Sequence, residues 1–357
     1  MSDRAGPGSG SGGAPAAIAI SPILSARYRG RDLAAIREAA PEARIVNVSL
    51  DGHADGDLAD VEVLLRGPMP ASVFDRLIAR CPRLAWVHSA TAGVERVLTD
   101  SARSRGLVIT NARGVFSRPI AEYVLMMMLA VSRRLPQLLE LQQERTWQPL
   151  EALEMRDVTV GIVGYGSIGR AVASLATAFG CRVLATRRRS GDDSGPVSGG
   201  DELPPAAGDE APLPVAPQVE LLGGDELPRL LGESDFVVLA LPLTADTADL
   251  FDHRLLAHMK PTAWLINVAR GRLVDERALV RALREGRIGG AVLDTFRDEP
   301  LPPDSPLYEA PNLILTPHTS WSSGRVLDRS IELFCENLRR FARGEPLRNV
   351  VDPELGY

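Results

Sequence analysis

An α/β fold with mainly parallel sheets is predicted by two observations. Short apolar runs alternate with helical patterns along most of the chain, and a glycine-rich turn, Gly164 to Gly169, joins one such run to a helix. The run Val158 to Val163 is apolar except for Thr159, as suits a strand buried on both faces. Before it, strands are expected at Ile18 to Leu24, Ile45 to Ser49, Val61 to Leu65, Leu84 to Ser89 and Val108 to Thr110. Helices are expected at Asp32 to Ala40 and Phe74 to Arg80. A long helix should run from about Pro119 to Leu141, where Pro136 bends or divides it. After the glycine turn, strands are expected at Arg182 to Ala185, Phe236 to Leu241, Trp264 to Asn267, Ala291 to Leu293 and Leu313 to Leu315. Helices fall at Ile168 to Phe179, Asp252 to Met259, Glu276 to Glu285 and Val326 to Ala342.

The chain has 357 residues, enough for two domains, and 45% of them are hydrophobic, which supports a large core. The net charge of -6 argues against nucleic acid or a membrane surface as partner. The apolar stretch Val124 to Val131 is far too short to span a bilayer. Cys81, Cys181 and Cys335 are too dispersed for a disulfide framework or a metal cluster, so no metal and a reducing, cytoplasmic setting are expected. Residues 1–17 read as a disordered tail without a secretory pattern. Lys260 is the single lysine; arginine supplies every other basic side chain. From Ser190 to Glu226 there are no basic residues, many acids and many prolines, the composition of a disordered insertion.

The turn Gly164-Tyr165-Gly166-Ser167-Ile168-Gly169 carries the dinucleotide pattern in its required strand–turn–helix setting. The first glycine permits the turn, the second admits a pyrophosphate, and the third lets helix pack on strand. Unpaired N–H groups at the helix start complete an anion site. At the end of the next strand, where an acidic residue would hold the adenosine ribose, stand Arg187, Arg188 and Arg189. Guanidiniums there suit the 2′-phosphate of NADP(H), leaving NAD(H) as the second choice.

Further motifs stand at Ala92-Gly93-Val94, Asn111 to Ala130, Leu241-Pro242-Leu243-Thr244, Asn267 to Gly271, Asp294 to Pro300 and Pro317-His318-Thr319-Ser320. In this order and spacing, with the glycine turn, the chain resembles the D-isomer-specific 2-hydroxyacid dehydrogenases from about Ile18 to Asp352. It is closest in character to the NADP-preferring glyoxylate and hydroxypyruvate reductases. The resemblance implies two Rossmann-like domains with the active site in the cleft between them. The substrate domain would comprise 18–118 with 320–352, and the dinucleotide domain 119–319. It also implies a homodimer built on the cofactor domain.

The resemblance assigns the substrate arginine to Arg270 and the carboxylate–histidine pair to Glu299 and His318. Arg270 would grip the substrate carboxylate through its fork of donors, and His318 would give a proton to the developing alkoxide. Glu299 would orient the imidazole and support its charged form. Leu241, Pro242 and Asp294 would face the cofactor. Arg66, Gly67, Ala92, Gly93 and Trp321 would line the substrate site, with glycine-turn N–H groups binding the carboxylate. The implied activity is hydride transfer between NADP(H) and a small 2-oxo or 2-hydroxy acid. Other activities on this framework are a dinucleotide-sensing interaction protein and a phosphite-type dehydrogenase. Formate dehydrogenases typically carry glutamine at the position of Glu299.

Overall fold

The computed structural model describes residues 13–21, 31–187 and 219–354. These divide into two compact units, one formed by 13–116 with 324–354 and the other by 117–323. The chain thus passes between units at Phe116/Ser117 and Ser323/Gly324. The expected boundaries were two residues later at the first crossing and four earlier at the second.

The first unit holds strands β1 (Ala17–Ile20), β2 (Arg44–Asn47), β3 (Val61–Arg66), β4 (Trp86–Ser89) and β5 (Val108–Thr110). Its helices are α1 (Arg31–Ala39), α2 (Ala71–Arg80), α3 (Asp100–Ser104) and α10 (Val326–Arg343), the last coming from the far end of the chain. The sheet is parallel in the order β2-β1-β3-β4-β5, a doubly wound arrangement. Successive side chains of β1 show why both faces are covered. Ala17 and Ala19 join Val73, Phe74 and Leu77 of α2 in one core, while Ile18 and Ile20 join Phe334, Leu338 and Phe341 of α10 in the other. Strand β1 ends at Ile20, so Pro22 to Leu24 of the expected strand lie outside the described residues.

The second core contains a buried histidine. His88 is fully enclosed, with Phe334 at 5.5 Å between ring centroids and Nδ1 2.8 Å from Thr110 Oγ1. Burial pushes its pKa from 6.5 down to about 3. The folded protein therefore holds the ring neutral while the unfolded chain protonates it, and stability is lost as pH falls below 6.5 toward 3. Between pH 7 and 5 this single group removes about 2 kcal/mol. Urea unfolding at the two pH values should show that much less pH dependence in His88→Gln. Identical pH dependence in both proteins would contradict the assignment.

The second unit contains α4 (Ser117–Ser132), α5 (Leu135–Gln143), β6 (Thr159–Val163), α6 (Ser167–Ala178), β7 (Arg182–Thr186), β8 (Val219–Leu222), α7 (Leu227–Glu233) and β9 (Phe236–Leu239). It continues with α8 (His253–Leu256), β10 (Trp264–Asn267), α9 (Glu276–Arg284), β11 (Gly290–Leu293) and β12 (Leu313–Leu315). The parallel sheet runs β12-β11-β10-β9-β6-β7-β8, so strand order reverses between β6 and β9. Ligands of such sheets bind outside the carboxyl ends of the strands at this reversal. The expected long helix is divided: Arg134 takes a left-handed conformation (φ 58°) between α4 and α5, with Pro136 in the first turn of α5.

The predicted insertion needs correcting at its end. Residues 219–226 are ordered: β8 pairs with β7 in the register Val183↔Val219, and 224–226 form a 3-10 turn. The acidic side chains there are structural partners. Glu220 bonds Arg182 and Arg229, and Glu226 accepts from the N–H of Gly223. Residues 190–218 lie outside the described residues. Cys81, Cys181 and Cys335 are all free and buried. Among the described residues no helix is long and apolar enough to cross a membrane, and no cluster of side chains could hold a metal ion.

Candidate active site

Six of the parallel strands in the second unit deliver the candidate residues to one edge of the sheet. Arg187 follows β7, Gly164 follows β6, Leu241 and Pro242 follow β9, Arg270 follows β10, Asp294 follows β11 and His318 follows β12. In the sheet these strands stand side by side in that order. Five steps of about 4.8 Å separate the first from the last, an edge about 24 Å long. One end carries the glycine turn and a basic residue, and the other carries the arginine, carboxylates and histidine.

The glycine turn is built as a cradle. Gly164 has φ +103°, and a Cβ there would meet the Ala240 carbonyl oxygen at 2.7 Å and Leu241 N at 2.8 Å. Gly169 sits so close to the Gly164 carbonyl oxygen that a Cβ would approach within 2.2 Å. A Cβ on Gly166 would meet nothing within 4 Å, so the turn opens on the side where α6 begins. Gly166 caps α6 with no side-chain bond to the first-turn N–H groups of Ser167, Ile168 and Gly169. The N–H groups of Gly164 and Tyr165 both donate to the Thr186 carbonyl, fixing the turn to β7. An open backbone nest at a helix start fits a pyrophosphate. The exposed Arg187 is placed by its backbone N–H, which donates to Leu222 of β8 at 3.3 Å. Arg188 and Arg189 lie outside the described residues.

At the other end, His318 Nδ1 is 2.8 Å from Glu299 Oε2, and Glu299 Oε1 accepts from the Phe296 N–H at 3.0 Å. The two side chains are 42% and 37% exposed, so the pair is open to a small solute. With Nδ1 donating to the carboxylate, Nε2 remains as the ring's acid–base atom. His318 has φ 49°, a left-handed conformation that a residue with a side chain adopts only when held. Its N–H donates to the Thr316 carbonyl at 2.9 Å, and its carbonyl accepts from Trp321 Nε1 at 2.7 Å. Asp294 is fully buried and accepts from the N–H groups of Thr319 at 2.8 Å and Ser320 at 2.9 Å, just beyond the histidine.

Arg270 is half-buried in an extended backbone conformation. Asn267, fully buried at the end of β10, builds the turn before it. Its Nδ2 donates to the Arg270 carbonyl at 2.9 Å and its Oδ1 accepts from the Ala269 N–H at 3.1 Å. Gly271 packs directly on the backbone of the loop that leads to Glu299. Arg270, Glu299 and His318 thus stand on three adjacent strands with their loops in contact.

The remaining candidates have structural partners of their own. The Arg66 guanidinium does not point out of its unit: it is 2% exposed, donates to the carbonyls of Met69 and Arg96, and lies over the Phe74 ring. Burial and the neighbouring Arg96 lower its pKa to about 10. The Gly67 N–H already donates to Ser21 Oγ at 2.6 Å. Both residues therefore shape the first unit's loop. Ala92 and Gly93 lie half-buried in that unit, their carbonyls accepting from Asn111 and Thr91. Trp321 uses its indole N–H to pin the histidine turn. Sequence reasoning missed the supporting roles of Asn267, whose partners are the backbone groups of Ala269 and Arg270, and of Asp294, whose partners lie 22–26 residues away.

Comparison with known proteins agrees with this arrangement. The profile of the D-isomer specific 2-hydroxyacid dehydrogenase NAD binding domain matches residues 125–200 and 211–320. A glyoxylate reductase of Korarchaeum cryptofilum is 35% identical over 303 residues, covering 82% of each chain. A D-isomer specific 2-hydroxyacid dehydrogenase from Xanthobacter autotrophicus Py2, solved with NADPH and MES, superposes with a TM-score of 0.79 at 31% identity over 98% of this chain and 100% of the other. An NADPH-dependent glyoxylate/hydroxypyruvate reductase from Sinorhizobium meliloti, solved with NADP and sulfate, gives 0.78 at 28% identity, covering 96% and 100%. With the parallel-sheet order, the glycine cradle and the histidine–carboxylate pair, these likenesses establish that the chain belongs to the D-isomer-specific 2-hydroxyacid dehydrogenases, a family of nicotinamide-dependent oxidoreductases.

Proposed function

We propose that the protein reduces a small 2-oxo acid with NADPH, glyoxylate and hydroxypyruvate being the first substrates to test. The observation that carries the reading is the His318–Glu299 contact at 2.8 Å, which joins the loops after β12 and β11 beside the loop that bears Arg270. The nicotinamide, when bound, supplies the hydride for the carbonyl carbon. Arg270 holds the substrate carboxylate with paired donors and draws charge onto the carbonyl oxygen. His318 gives its Nε2 proton to that oxygen as negative charge develops, and takes it back in the oxidative direction. Glu299 keeps Nδ1 engaged, so that only Nε2 exchanges a proton with substrate. Asp294 accepts three hydrogen bonds, which leaves one acceptor position of its carboxylate for an amide donor such as the nicotinamide carboxamide.

The choice of NADPH rests on Arg187, exposed at the end of β7, where a carboxylate would repel a 2′-phosphate. The names of the NADP-bound relatives point the same way. A charge-assisted contact there is worth about 1.5–3 kcal/mol, or roughly 10–150-fold in affinity. Arg187→Asp should reverse the preference by adding repulsion toward one cofactor and a ribose partner for the other. The test compares kcat/KM for NADPH and NADH in both proteins, at fixed ionic strength, over a panel of 2-oxo acids. A wild-type preference for NADH of about tenfold or more removes the NADPH assignment. Absence of turnover with every 2-oxo acid, while cofactor still binds, removes the reductase reading in favour of a sensing role.

The same reading includes a cytoplasmic homodimer. Helix α5 buries none of its residues, and Leu135, Leu138 and Leu139 are exposed on it, with Trp147 fully exposed beyond its end. An apolar surface of this kind suits a second copy of the chain. Three free, buried thiols support a reducing compartment.

A further inference from the structure

We propose that Tyr123, on α4, is a positioning residue for the reaction at His318 and acts through Thr316 and Asp294. The inference rests on the reading of His318 as the proton donor. Tyr123 Oη lies 2.6 Å from Thr316 Oγ1, which lies 2.6 Å from Asp294 Oδ1. The direction of the chain follows from its last member. The Asp294 carboxylate can only accept, so the Thr316 hydroxyl must donate to it. Thr316 then has only lone pairs to offer, so Tyr123 must donate to Thr316. Burial pushes the Tyr123 phenol up to about 12, which keeps the proton that this role requires.

The chain of bonds encloses the histidine turn from both sides. Thr316 stands two residues before His318, and its carbonyl takes the histidine N–H. Thr319 and Ser320 stand just after it, and their N–H groups are held by the same Asp294. A left-handed histidine is held at a cost and relaxes if either side is released. Asp294, Thr316, Thr319 and Ser320 all belong to the edge formed by β11 and β12. Tyr123 reaches that edge from a helix 193 residues away in sequence, anchoring it to the body of the unit. A packing role alone would not require the phenol oxygen to meet a hydroxyl, and Phe would fill the same space.

The test is a double-mutant cycle read by single-turnover oxidation of NADPH with saturating 2-oxo acid, on the full chain. Tyr123→Phe should slow this step by about 5–30-fold, with NADPH affinity and melting temperature close to wild type. Thr316→Val should slow it at least as much, and Thr316→Ser, which keeps the hydroxyl, should retain most of the rate. In the Thr316→Val background, Tyr123→Phe should add nothing, because the route through Thr316 is gone. An unchanged rate in Tyr123→Phe, or an equal loss in both backgrounds, would overturn the proposal. His318→Ala measured alongside separates the two levels. If it retains full turnover, the reading of His318 fails and the inference with it. If it is inactive while Tyr123→Phe is normal, only the inference fails.

Discussion

His318→Ala is expected to reduce the rate of oxo-acid reduction by about 10²–10⁴-fold, the usual worth of positioned proton transfer. The imidazole is held with its acid–base nitrogen Nε2 left over: its N–H, its carbonyl and Nδ1 are each bonded to a named partner. Alanine removes the donor and leaves the cradle at the other end of the sheet untouched, so NADPH should still bind with near-normal affinity. Glu299→Gln should fall between the two, since an amide oxygen can still orient Nδ1 but carries no charge. Single-turnover rates and a cofactor titration measure these effects. A His318→Ala enzyme with wild-type chemistry would reject the assignment.

Gly271→Ala should be nearly as damaging, although the residue has no chemistry of its own. A Cβ there would lie 1.9 Å from the Phe296 carbonyl carbon, 2.2 Å from its oxygen and 2.4 Å from Arg297 N. All three are backbone atoms, and no rotamer change relieves the overlap. Either the Arg270 turn or the loop carrying Glu299 must move, and either shift separates the substrate arginine from the acid–base pair. A misplacement of about 1 Å can cost about 10²-fold in rate. The expected result is a loss of that order in kcat/KM together with a lower melting temperature. A variant with wild-type kcat/KM would show that the two loops can part without consequence.

The sequence revealed the parts of the site whose chemistry and backbone demands coincide within a few residues. Gly164 to Gly169 is legible because a tight turn, an open cradle and a close helix each require a glycine at a fixed place. Arg270, Glu299 and His318 are legible as residue types in a known spacing. Their supports are not, because Asp294 bonds residues 22–26 positions away and Tyr123 meets Thr316 across 193. Strand β8 was hidden by its acidic neighbourhood. Four residues, Val219 to Leu222, become a strand through pairing with β7 and through Arg182 and Arg229, which neutralise Glu220. The burial of Arg66 was not legible either. Arginine is seldom buried, yet Arg66 ends β3 with two carbonyls and an aromatic face holding its charge inside.

The three enclosed thiols give the molecule its own reporters of breathing. Burial pushes Cys81 and Cys181 up to about 11 and Cys335 to about 12, so near neutral pH each is both shielded and unreactive until its surroundings open. Cys81 and Cys335 belong to the first unit and Cys181 to the second. Labelling with a thiol reagent, resolved by peptide, therefore times the opening of each unit separately in one unmodified sample. Added dinucleotide should slow modification of Cys181, which follows the glycine-turn helix directly, more than that of the other two.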